Sequence, residues 1–355
     1  MHQFENPTAS PPETVHMLHD RESGLEGVVV MHSSRLGPAA GGCRLWRYST
    51  RAAMVDDALR LAEGMAYKNA MANLPLGGRK AVLKLPDRDF DRERLFAAFG
   101  REVAKLNGGY VTAEDVGTSV EDMQAVRTET RHVAGLAQAD GRPGGDPSPW
   151  TALGVFVAMQ EAVRHQLGTD LAGLTVAVQG LGHVGAALCE LLHDAGAKLV
   201  VAEPRSDVAS AVACRYDAMV ANPRTVMEAD CDIFAPCALG AVLDERSVSR
   251  LKAKVVCGAA NNVLATAEDG DVLADRGVLY APDYVVNAGG IINVCAEYLG
   301  WSQPEVETRV RASGDRLATV LAFARENDLP PHRAADLLAR RRIAAGPAVP
   351  ATKAA

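Results

Sequence analysis

Two lysines in the first half of the chain lie next to apolar segments, where an ammonium group is energetically unfavourable without an anionic partner. A helix predicted from about Arg51 to Met71 places one set of side chains on a single face, namely Met54, Ala58, Leu61, Met65 and Lys68. An ammonium group at the end of an apolar face is costly unless it pairs with an anion or lies in a functional cleft. Alternatively, the Lys68 side chain extends from the helix end so that its charge reaches water. Lys80 follows a predicted turn at Gly77-Gly78 and precedes the strand Ala81–Leu85.

A pair of acids follows the next predicted strand. Tyr110–Ala113 is an apolar run that leads directly into Glu114 and Asp115. Acids at the carboxyl end of a strand in an α/β sheet fall where clefts form. Either acid could instead cap a helix over residues 119–127. The pattern alone leaves both readings open.

The stretch Thr175–Glu203 contains the predicted elements of a dinucleotide-binding site in the required order. A short apolar strand leads into a G-x-G-x-x-G turn, a helix follows, and a second strand ends at Glu203. Gly180 permits the sharp turn, Gly182 lets backbone N–H groups approach a pyrophosphate, and Gly185 lets helix and strand pack closely. The helix N-terminus favours phosphate, and the acid would accept hydrogen bonds from ribose hydroxyls.

Two alternatives to this dinucleotide site remain. A structural glycine turn that binds nothing is one, and a methyltransferase is the other, although the third glycine favours a dinucleotide. Glu203 would repel a 2′-phosphate, which predicts NAD rather than NADP. Arg205, two residues later, weakens that preference.

Length and composition fit a globular protein of two domains. The chain has 355 residues, 48% of them hydrophobic and 23% charged. A net charge of −7 argues against a nucleic-acid or anionic-membrane partner. No apolar run is long enough for a bilayer span, and the start lacks the features of a signal peptide, so a cytoplasmic location is expected. The seven scattered cysteines suggest reduced core residues rather than disulfides or a zinc site, and no metal is expected.

The densest cluster of helix- and strand-breaking residues, Gly141–Pro149, predicts the domain boundary. Beyond Glu203, short apolar runs ending in small or polar residues recur at 233–235, 255–257 and 278–281. Strands that alternate with helices predict a parallel sheet with its ligand at these ends. The tail from about Gly346 is rich in Ala and Pro and is predicted to be disordered.

Many collinear motifs resemble those of the glutamate/leucine/phenylalanine/valine dehydrogenase family, over nearly the whole chain. They are Gly37–Gly42, Gly64–Lys68, Gly77–Lys80, Thr112–Thr118, Gly180–Gly185, Ala235–Ala238, Gly258–Asn262 and Tyr280–Gly290. The resemblance implies an α/β protein with two domains and a cleft between them. Residues 1–147, completed by C-terminal helices at about 328–355, would bind the amino acid and form a homo-oligomer. Residues 148–327 would be a Rossmann-type NAD-binding domain.

The resemblance also implies roles for individual residues. Lys68 would bind the substrate carboxylate, Lys80 would act as the base, and Asp115 would exchange protons at the α-nitrogen. Further substrate contacts are implied for Gly41, Gly42 and Asn262, and for the apolar side chains of Ala40, Met65, Ala113, Ile291 and Val294. Cofactor contacts are implied for Gly180, Leu181, Gly182, His183, Val184, Gly185, Glu203, Arg205, Thr151, Cys237, Ala238, Ala259, Asn261 and Asn287.

The implied reaction explains these residue types. An L-amino acid that gives a hydride to nicotinamide becomes an iminium ion, which water converts to a 2-oxo acid and ammonia. The base must be a neutral amine, whereas a free lysine titrates near 10.4. A second ammonium and partial burial both favour the neutral form, while an ionised Asp115 opposes it. Arg79, where the family usually has a small residue, is expected to face away because adjacent strand residues alternate.

The apolar pocket residues argue against a charged substrate side chain, which would be buried without a partner. Ala113-Glu114-Asp115 resembles the leucine enzymes, whereas the small Ala40 resembles a phenylalanine enzyme. Leucine is the first expectation, with valine and isoleucine accepted and phenylalanine as the alternative. A non-catalytic NAD-binding sensor or scaffold is the alternative of another class. The two lysines and Asp115 argue against it.

Overall fold

The computed structural model describes residues 11–136, 145–238 and 240–347. The chain divides into two compact units, residues 1–140 with 342–355 and residues 141–341. Part of the predicted boundary stretch, 141–144, and the tail beyond 347 lie outside the described residues. The domain limits expected from the sequence, including the assignment of residues 328–355 to the N-terminal domain, stay a prediction.

The first unit contains a five-stranded mixed sheet in the order β1-β2-β4-β3-β5. Its strands are β1 Thr14–Asp20, β2 Leu25–Ser33, β3 Ala39–Trp46, β4 Gly77–Lys84 and β5 Tyr110–Glu114. Strand β2 runs antiparallel to both β1 and β4, whereas β3 runs parallel to β4 and β5. The parallel arrangement places the carboxyl ends of β3, β4 and β5 at one edge, where polar side chains can meet.

Three helices accompany this sheet: α1 Arg51–Met71, α2 Arg92–Ala104 and α3 Val120–Arg127. The bounds predicted for α1 are confirmed, and Thr50 caps it by accepting a hydrogen bond from the Ala53 N–H. The buried side chains of α1 form one core cluster with Val28, Val30 and Val82. A separate core cluster joins alternate residues of the same strands to α2, including Leu83, Phe96 and Tyr110. Odd and even residues of β4 therefore belong to different cores.

The expectation that Gly77-Gly78 form a turn is wrong, because both glycines lie in strand β4. A Cβ atom on Gly78 would lie 2.3 Å from the Ala66 backbone nitrogen. A Cβ on Gly77 would lie 2.2 Å from the Ser33 carbonyl oxygen. These glycines are required by the close approach of α1 and β2 to the strand, and not by a reversal of the chain.

The second unit is built on a six-stranded parallel sheet in the order β11-β10-β9-β6-β7-β8. Its strands are β6 Thr175–Gln179, β7 Lys198–Ala202, β8 Met219–Val220, β9 Ile233–Pro236, β10 Val255–Val256 and β11 Leu279–Tyr280. The predicted parallel sheet is thus confirmed. Because its strand order reverses between β6 and β9, the carboxyl ends of these strands form a crevice where ligands bind in such folds.

Among the described residues, ten α-helices follow α3 along the chain, and the last of them runs beyond Arg341, where the second unit ends. They are α4 Ser148–Leu167, α5 His183–Asp194, α6 Ser206–Tyr216, α7 Glu245–Arg250, α8 Ala267–Asp275, α9 Asp283–Val286, α10 Gly289–Leu299, α11 Gln303–Arg311, α12 Ser313–Glu326 and α13 Pro331–Ala345. No helix within the described ranges is long and apolar enough to cross a bilayer. Over the same ranges no group of three or more His, Cys, Asp or Glu side chains could hold a metal. All seven cysteines are free thiols.

Candidate functional site

The centre of the first unit is an ion pair between Lys80 and Asp115. Lys80 Nζ lies 2.7 Å from Asp115 Oδ2, and the two side chains are only 6% and 18% exposed. Lys80 pairs with Val30 in the sheet and therefore faces the side covered by α1. Burial alone would raise the pKa of the Asp115 carboxyl, but the charges of Lys80 and Arg44 outweigh burial and hold it below its ordinary value.

The turn after β5 fixes the position of Asp115. Thr118 Oγ1 accepts a hydrogen bond from the Asp115 N–H at 2.8 Å and donates to the Cys43 carbonyl at 3.0 Å. Helix α3 is capped by Ser119, with Asp122 completing the capping box. Neither Glu114 nor Asp115 is therefore the helix cap, and the Asp115 carboxylate is available to Lys80.

Several expected substrate residues lie in the strands and the helix next to this ion pair. A Cβ on Gly42 would lie 2.8 Å from Asp115 Cβ, and a Cβ on Gly41 would lie 3.6 Å from Met65 Cγ. Ala40 and Ala113 are buried in the adjoining strands β3 and β5. Lys68 is half-buried in the last turn of α1, the turn that follows Met65. Of the residues assigned to substrate in the first unit, Ala40, Gly41, Gly42 and Ala113 thus lie in strands of the sheet that holds Lys80, whereas Met65 and Lys68 lie on the helix α1.

Close packing of the protein's own backbone accounts for Gly41 and Gly42. A Cβ on Gly41 would meet the Arg79 carbonyl oxygen at 1.8 Å, and one on Gly42 would meet the Glu114 carbonyl oxygen at 2.8 Å. Both positions lie inside β3, which is hydrogen-bonded on either side. Their requirement for glycine follows from this packing, and their contact with substrate stays a prediction.

Arg79 faces away from Lys80, as strand alternation predicts. Its Nη2 lies 2.7 Å from Met31 Sδ, and its guanidinium carbon lies 5.7 Å from the centre of the Tyr110 ring. The residue is only 3% exposed, and burial lowers its pKa. Its Nε and Nη1 have no hydrogen-bond partner among the described residues.

Sequence reasoning missed a third charged group at this centre, Arg44. Its Nε forms an ion pair with Asp115 Oδ2 at 3.4 Å, and its Nη1 donates to Asp57 Oδ2 at 3.0 Å. The Tyr48 hydroxyl donates to the same Asp57 oxygen at 2.5 Å. The available signal was a basic residue directly after Gly41-Gly42-Cys43, next to glycines already singled out.

In the second unit, the glycine turn after β6 has the geometry of a phosphate cradle. Gly180 has φ +93°, and a Cβ there would lie 2.8 Å from Ala238 Cβ. A Cβ on Gly185 would lie 2.0 Å from the Gly180 carbonyl oxygen, so α5 starts against the strand. Gly182, which precedes α5, has nothing within 4 Å of its Cβ position. Open space before a helix N-terminus fits a dinucleotide pyrophosphate.

Glu203 lies beside this turn. Its Oε2 accepts a hydrogen bond from the Leu181 N–H at 3.0 Å, and its Oε1 accepts from Arg205 Nε at 2.8 Å. The bond from the Arg205 side chain is the main cause of a lowered Glu203 pKa. A carboxylate fixed in this place can accept from ribose hydroxyls, as the sequence pattern predicts, although Arg205 offsets part of its charge.

Asn287 forms hydrogen bonds with the segment that follows β10. Its buried Nδ2 donates to the Ala259 carbonyl and to Asn261 Oδ1, both at 3.0 Å. Asn262 follows with a left-handed backbone, φ 51°. The structure therefore brings Ala259, Asn261 and Asn287 together after β10, and their contact with the cofactor stays a prediction.

The other expected residues of this unit lie nearby in the fold or on its surface. A Cβ on Gly290 would lie 2.8 Å from Thr151 Oγ1, and a Cβ on Gly185 would lie 3.4 Å from Cys237 Cβ. Thr151 is therefore at the start of α10, the helix that carries the half-buried Ile291 and Val294. Val184 is half-buried, whereas the His183 side chain is 84% exposed, with Nδ1 3.4 Å from Asp146 Oδ2.

A parallel sheet with a glycine cradle in one unit, and a buried lysine–carboxylate pair in the other, define a dinucleotide-dependent enzyme. The family model described as "Glu/Leu/Phe/Val dehydrogenase, dimerisation domain" matches residues 12–132. The model "Glutamate/Leucine/Phenylalanine/Valine dehydrogenase" matches residues 146–216 and 201–347. The chain belongs to this family of amino acid dehydrogenases, which are NAD(P)-dependent oxidoreductases with a Rossmann-type domain.

Individual relatives share most of their length with the chain. Leucine dehydrogenase of Thermoactinomyces intermedius is 45% identical, with 93% of this chain and 90% of the relative covered. Valine dehydrogenase of Streptomyces albus is 45% identical, with coverage of 94% and 92%. The crystal structure of L-tryptophan dehydrogenase from Nostoc punctiforme gives a TM-score of 0.79 at 37% identity, with coverage of 94% and 96%. The two-domain α/β fold expected from the sequence is thereby confirmed.

Proposed function

We propose that the protein catalyses the NAD-dependent, reversible oxidative deamination of an apolar L-amino acid, with leucine as the preferred substrate. The products are the 2-oxo acid, ammonia and NADH. The observation that carries the proposal is the Lys80–Asp115 ion pair, 2.7 Å long and shielded from water. Such a pair can hold and move protons beside a reacting amine.

Three side chains have separate roles in this reaction. Lys68, at the end of α1, binds the α-carboxylate through a charge-assisted hydrogen bond. Lys80 is the general base, and it takes a proton from the water that attacks the iminium carbon. Asp115, which is held ionised, exchanges protons with the α-nitrogen as ammonia forms and leaves. Bound NAD supplies the acceptor for the α-hydride.

The cradle of the second unit supports NAD as that acceptor. Gly182 leaves space for the pyrophosphate before α5, and Glu203 is fixed where a ribose would be recognised. A 2′-phosphate at that position would be repelled by the Glu203 carboxylate. Asn261 lies near the nicotinamide, Asn262 helps to hold the substrate, and Thr151 contacts the carboxamide in the proposed arrangement.

The apolar residues assigned to substrate support an aliphatic side chain. Ala40, Met65 and Ala113 offer no partner for a carboxylate, and Ile291 and Val294 are equally apolar. Two 45% identical relatives are a leucine and a valine dehydrogenase, which supports the branched-chain choice. Phenylalanine is the second candidate, because the small Ala40 leaves room for a ring.

An initial-rate screen of the L-amino acids with NAD and with NADP tests this proposal. We expect the highest kcat/KM with leucine and NAD, followed by valine and isoleucine, and loss of turnover in Lys80→Ala. Preference for glutamate would contradict the apolar pocket. Tight NAD binding without NADH formation from any amino acid would support a sensor or scaffold.

We also propose a homo-oligomer in the cytoplasm. The match of residues 12–132 to a dimerisation domain supports the assembly. Light scattering after size exclusion would give the number of subunits, and a monomer at assay concentration would contradict it. Cell fractionation would test the location.

A further inference from the structure

The oxygen that receives the Lys80 ammonium has a second cationic neighbour. Asp115 Oδ2 lies 2.7 Å from Lys80 Nζ and 3.4 Å from Arg44 Nε. Within the described part of the chain, these are the two cations in ion-pair contact with Asp115. Lys80 must lose its proton to act as a base, and a buried carboxylate whose single partner becomes neutral is left uncompensated. Arg44 supplies a charge that remains when Lys80 is neutral.

Arg44 is held in place from its other end. Its Nη1 donates to Asp57 Oδ2 at 3.0 Å, and the Tyr48 hydroxyl donates to that oxygen at 2.5 Å. Asp57 is on α1 and Arg44 is on β3, so the contact spans the two elements beside Lys80. A guanidinium keeps its proton in proteins. Arg44 is therefore a permanent charge in a fixed position.

We propose that Arg44 is a positioning residue, which keeps Asp115 charged and oriented while Lys80 releases and regains its proton. This inference rests on the proposed function, since it assigns Lys80 the role of base. Both the Asp115–Arg44 pairing and the repulsion between the Arg44 and Lys80 charges favour the neutral lysine.

Other titratable groups lie on the elements packed against the pair. From α1, Lys68 and Asp57 lie on the same side of the sheet, and Asp57 is bound by Arg44 itself. From β3 comes the buried Cys43 thiol, whose pKa is raised mainly by burial and which is therefore neutral. From α3 comes Asp122, paired with Arg92 at 2.7 Å, and from β5 the half-buried Glu114.

The pH profile of oxidative deamination tests the proposal. With Arg44→Gln we expect the acidic limb of kcat to move to higher pH by about one unit or more, because Lys80 then holds its proton more strongly. Arg44→Lys keeps the charge and should move the limb less. The substrate's own amino group contributes equally to every profile, since one substrate is used throughout.

A matched control is Arg101→Gln. Arg101 is on α2, 52% exposed, and forms an ion pair with Glu129, so the control also removes one paired guanidinium from the first unit. Its acidic limb should coincide with that of the wild type. Circular dichroism and thermal unfolding of all variants verify the fold.

A second variant removes the same charge with a different side chain. Arg44→Met should also move the acidic limb to higher pH. If Arg44→Gln lowers kcat by the same factor at every pH and leaves the limb unmoved, Arg44 is merely structural and the proposal is overturned. An unmoved limb in Arg44→Met would overturn it too, and that variant decides the matter in the case that Arg44→Gln does not fold. A wild-type protein without amino-acid-dependent NADH formation would refute the proposed function as well.

Discussion

The backbone N–H of Leu181 donates a 3.0 Å hydrogen bond to Glu203 Oε2. The acid that follows β7 is therefore tied to the glycine turn that follows β6. This bond orients one carboxylate oxygen, while Arg205 binds the other at 2.8 Å. We therefore expect cofactor preference to depend on this carboxylate, whose position is fixed and whose charge is partly offset by Arg205.

Substitution of Glu203 should change the preference between NAD and NADP. In Glu203→Ser we expect the ratio of kcat/KM for NADP to that for NAD to rise about tenfold or more, equivalent to about 1.4 kcal/mol, because the 2′-phosphate is no longer repelled. Arg205→Ala should lower the same ratio, because it leaves the carboxylate charge uncompensated. Equal ratios in the wild type, Glu203→Ser and Arg205→Ala would show that Glu203 and Arg205 do not discriminate between the two cofactors at the ribose.

Two glycines of the same turn should respond differently to alanine. Gly185→Ala places a Cβ 2.0 Å from the Gly180 carbonyl oxygen, so we expect the free energy of unfolding to fall by about 1–3 kcal/mol. Gly182→Ala places its Cβ in open space and should preserve stability while raising the dissociation constant of NADH. Denaturant unfolding and fluorescence titration measure the two effects. Unchanged NADH affinity in Gly182→Ala would count against the cradle.

Lys68→Met should weaken binding of the amino acid selectively. A charge-assisted hydrogen bond is worth about 1.5–3 kcal/mol, so KM for leucine should rise roughly ten- to a hundredfold. The dissociation constant of NADH should stay unchanged. Lys84→Met is the control, since Lys84 pairs with the exposed Asp87 in the same unit. An unaltered KM in Lys68→Met would remove the carboxylate-binding role.

His332 should make the stability of the second unit depend on pH. The ring is 6% exposed and lies against Gly270, and burial lowers its pKa despite the nearby Asp271 charge. The unfolded chain, where histidine titrates near 6.5, then binds the proton more readily than the folded protein. Stability should be full above about pH 6.5 and fall as the pH drops below it.

His332→Gln should flatten that decline, measured as the free energy of unfolding by urea at several pH values. The exposed His165 gives a control, because His165→Gln should keep the wild-type slope. A slope in His332→Gln as steep as that of the wild type would refute the role of the buried ring.

The elements that the sequence predicted well are those specified by local patterns. The strand–turn–helix–strand unit at 175–203 and the helix Arg51–Met71 both depend on periodicity, glycines and caps within a few residues. The meeting of Lys80 and Asp115 was predicted from the family motifs that contain the two residues. The strand pattern alone could not show it, because Lys80 lies inside β4 whereas Asp115 directly follows β5.

The features that the sequence did not reveal depend on distant segments. Gly78 looks like a turn residue until the backbone of Ala66 is known to lie against it. Arg44 becomes part of the centre because Asp57, on a separate helix, holds its far end. No local pattern encodes that pairing, since it follows from where α1 lies on the sheet.

The buried guanidinium of Arg79 lowers the folding stability of the first unit. The Arg79 cation is enclosed beside Met31 and Tyr110, and its Nε and Nη1 lack hydrogen-bond partners among the described residues, so its burial costs free energy of folding. An uncharged residue of similar volume, as in Arg79→Met, would remove that cost without touching the face that carries Lys80. A position for raising heat tolerance therefore lies next to the proposed base, on the opposite face of the same strand.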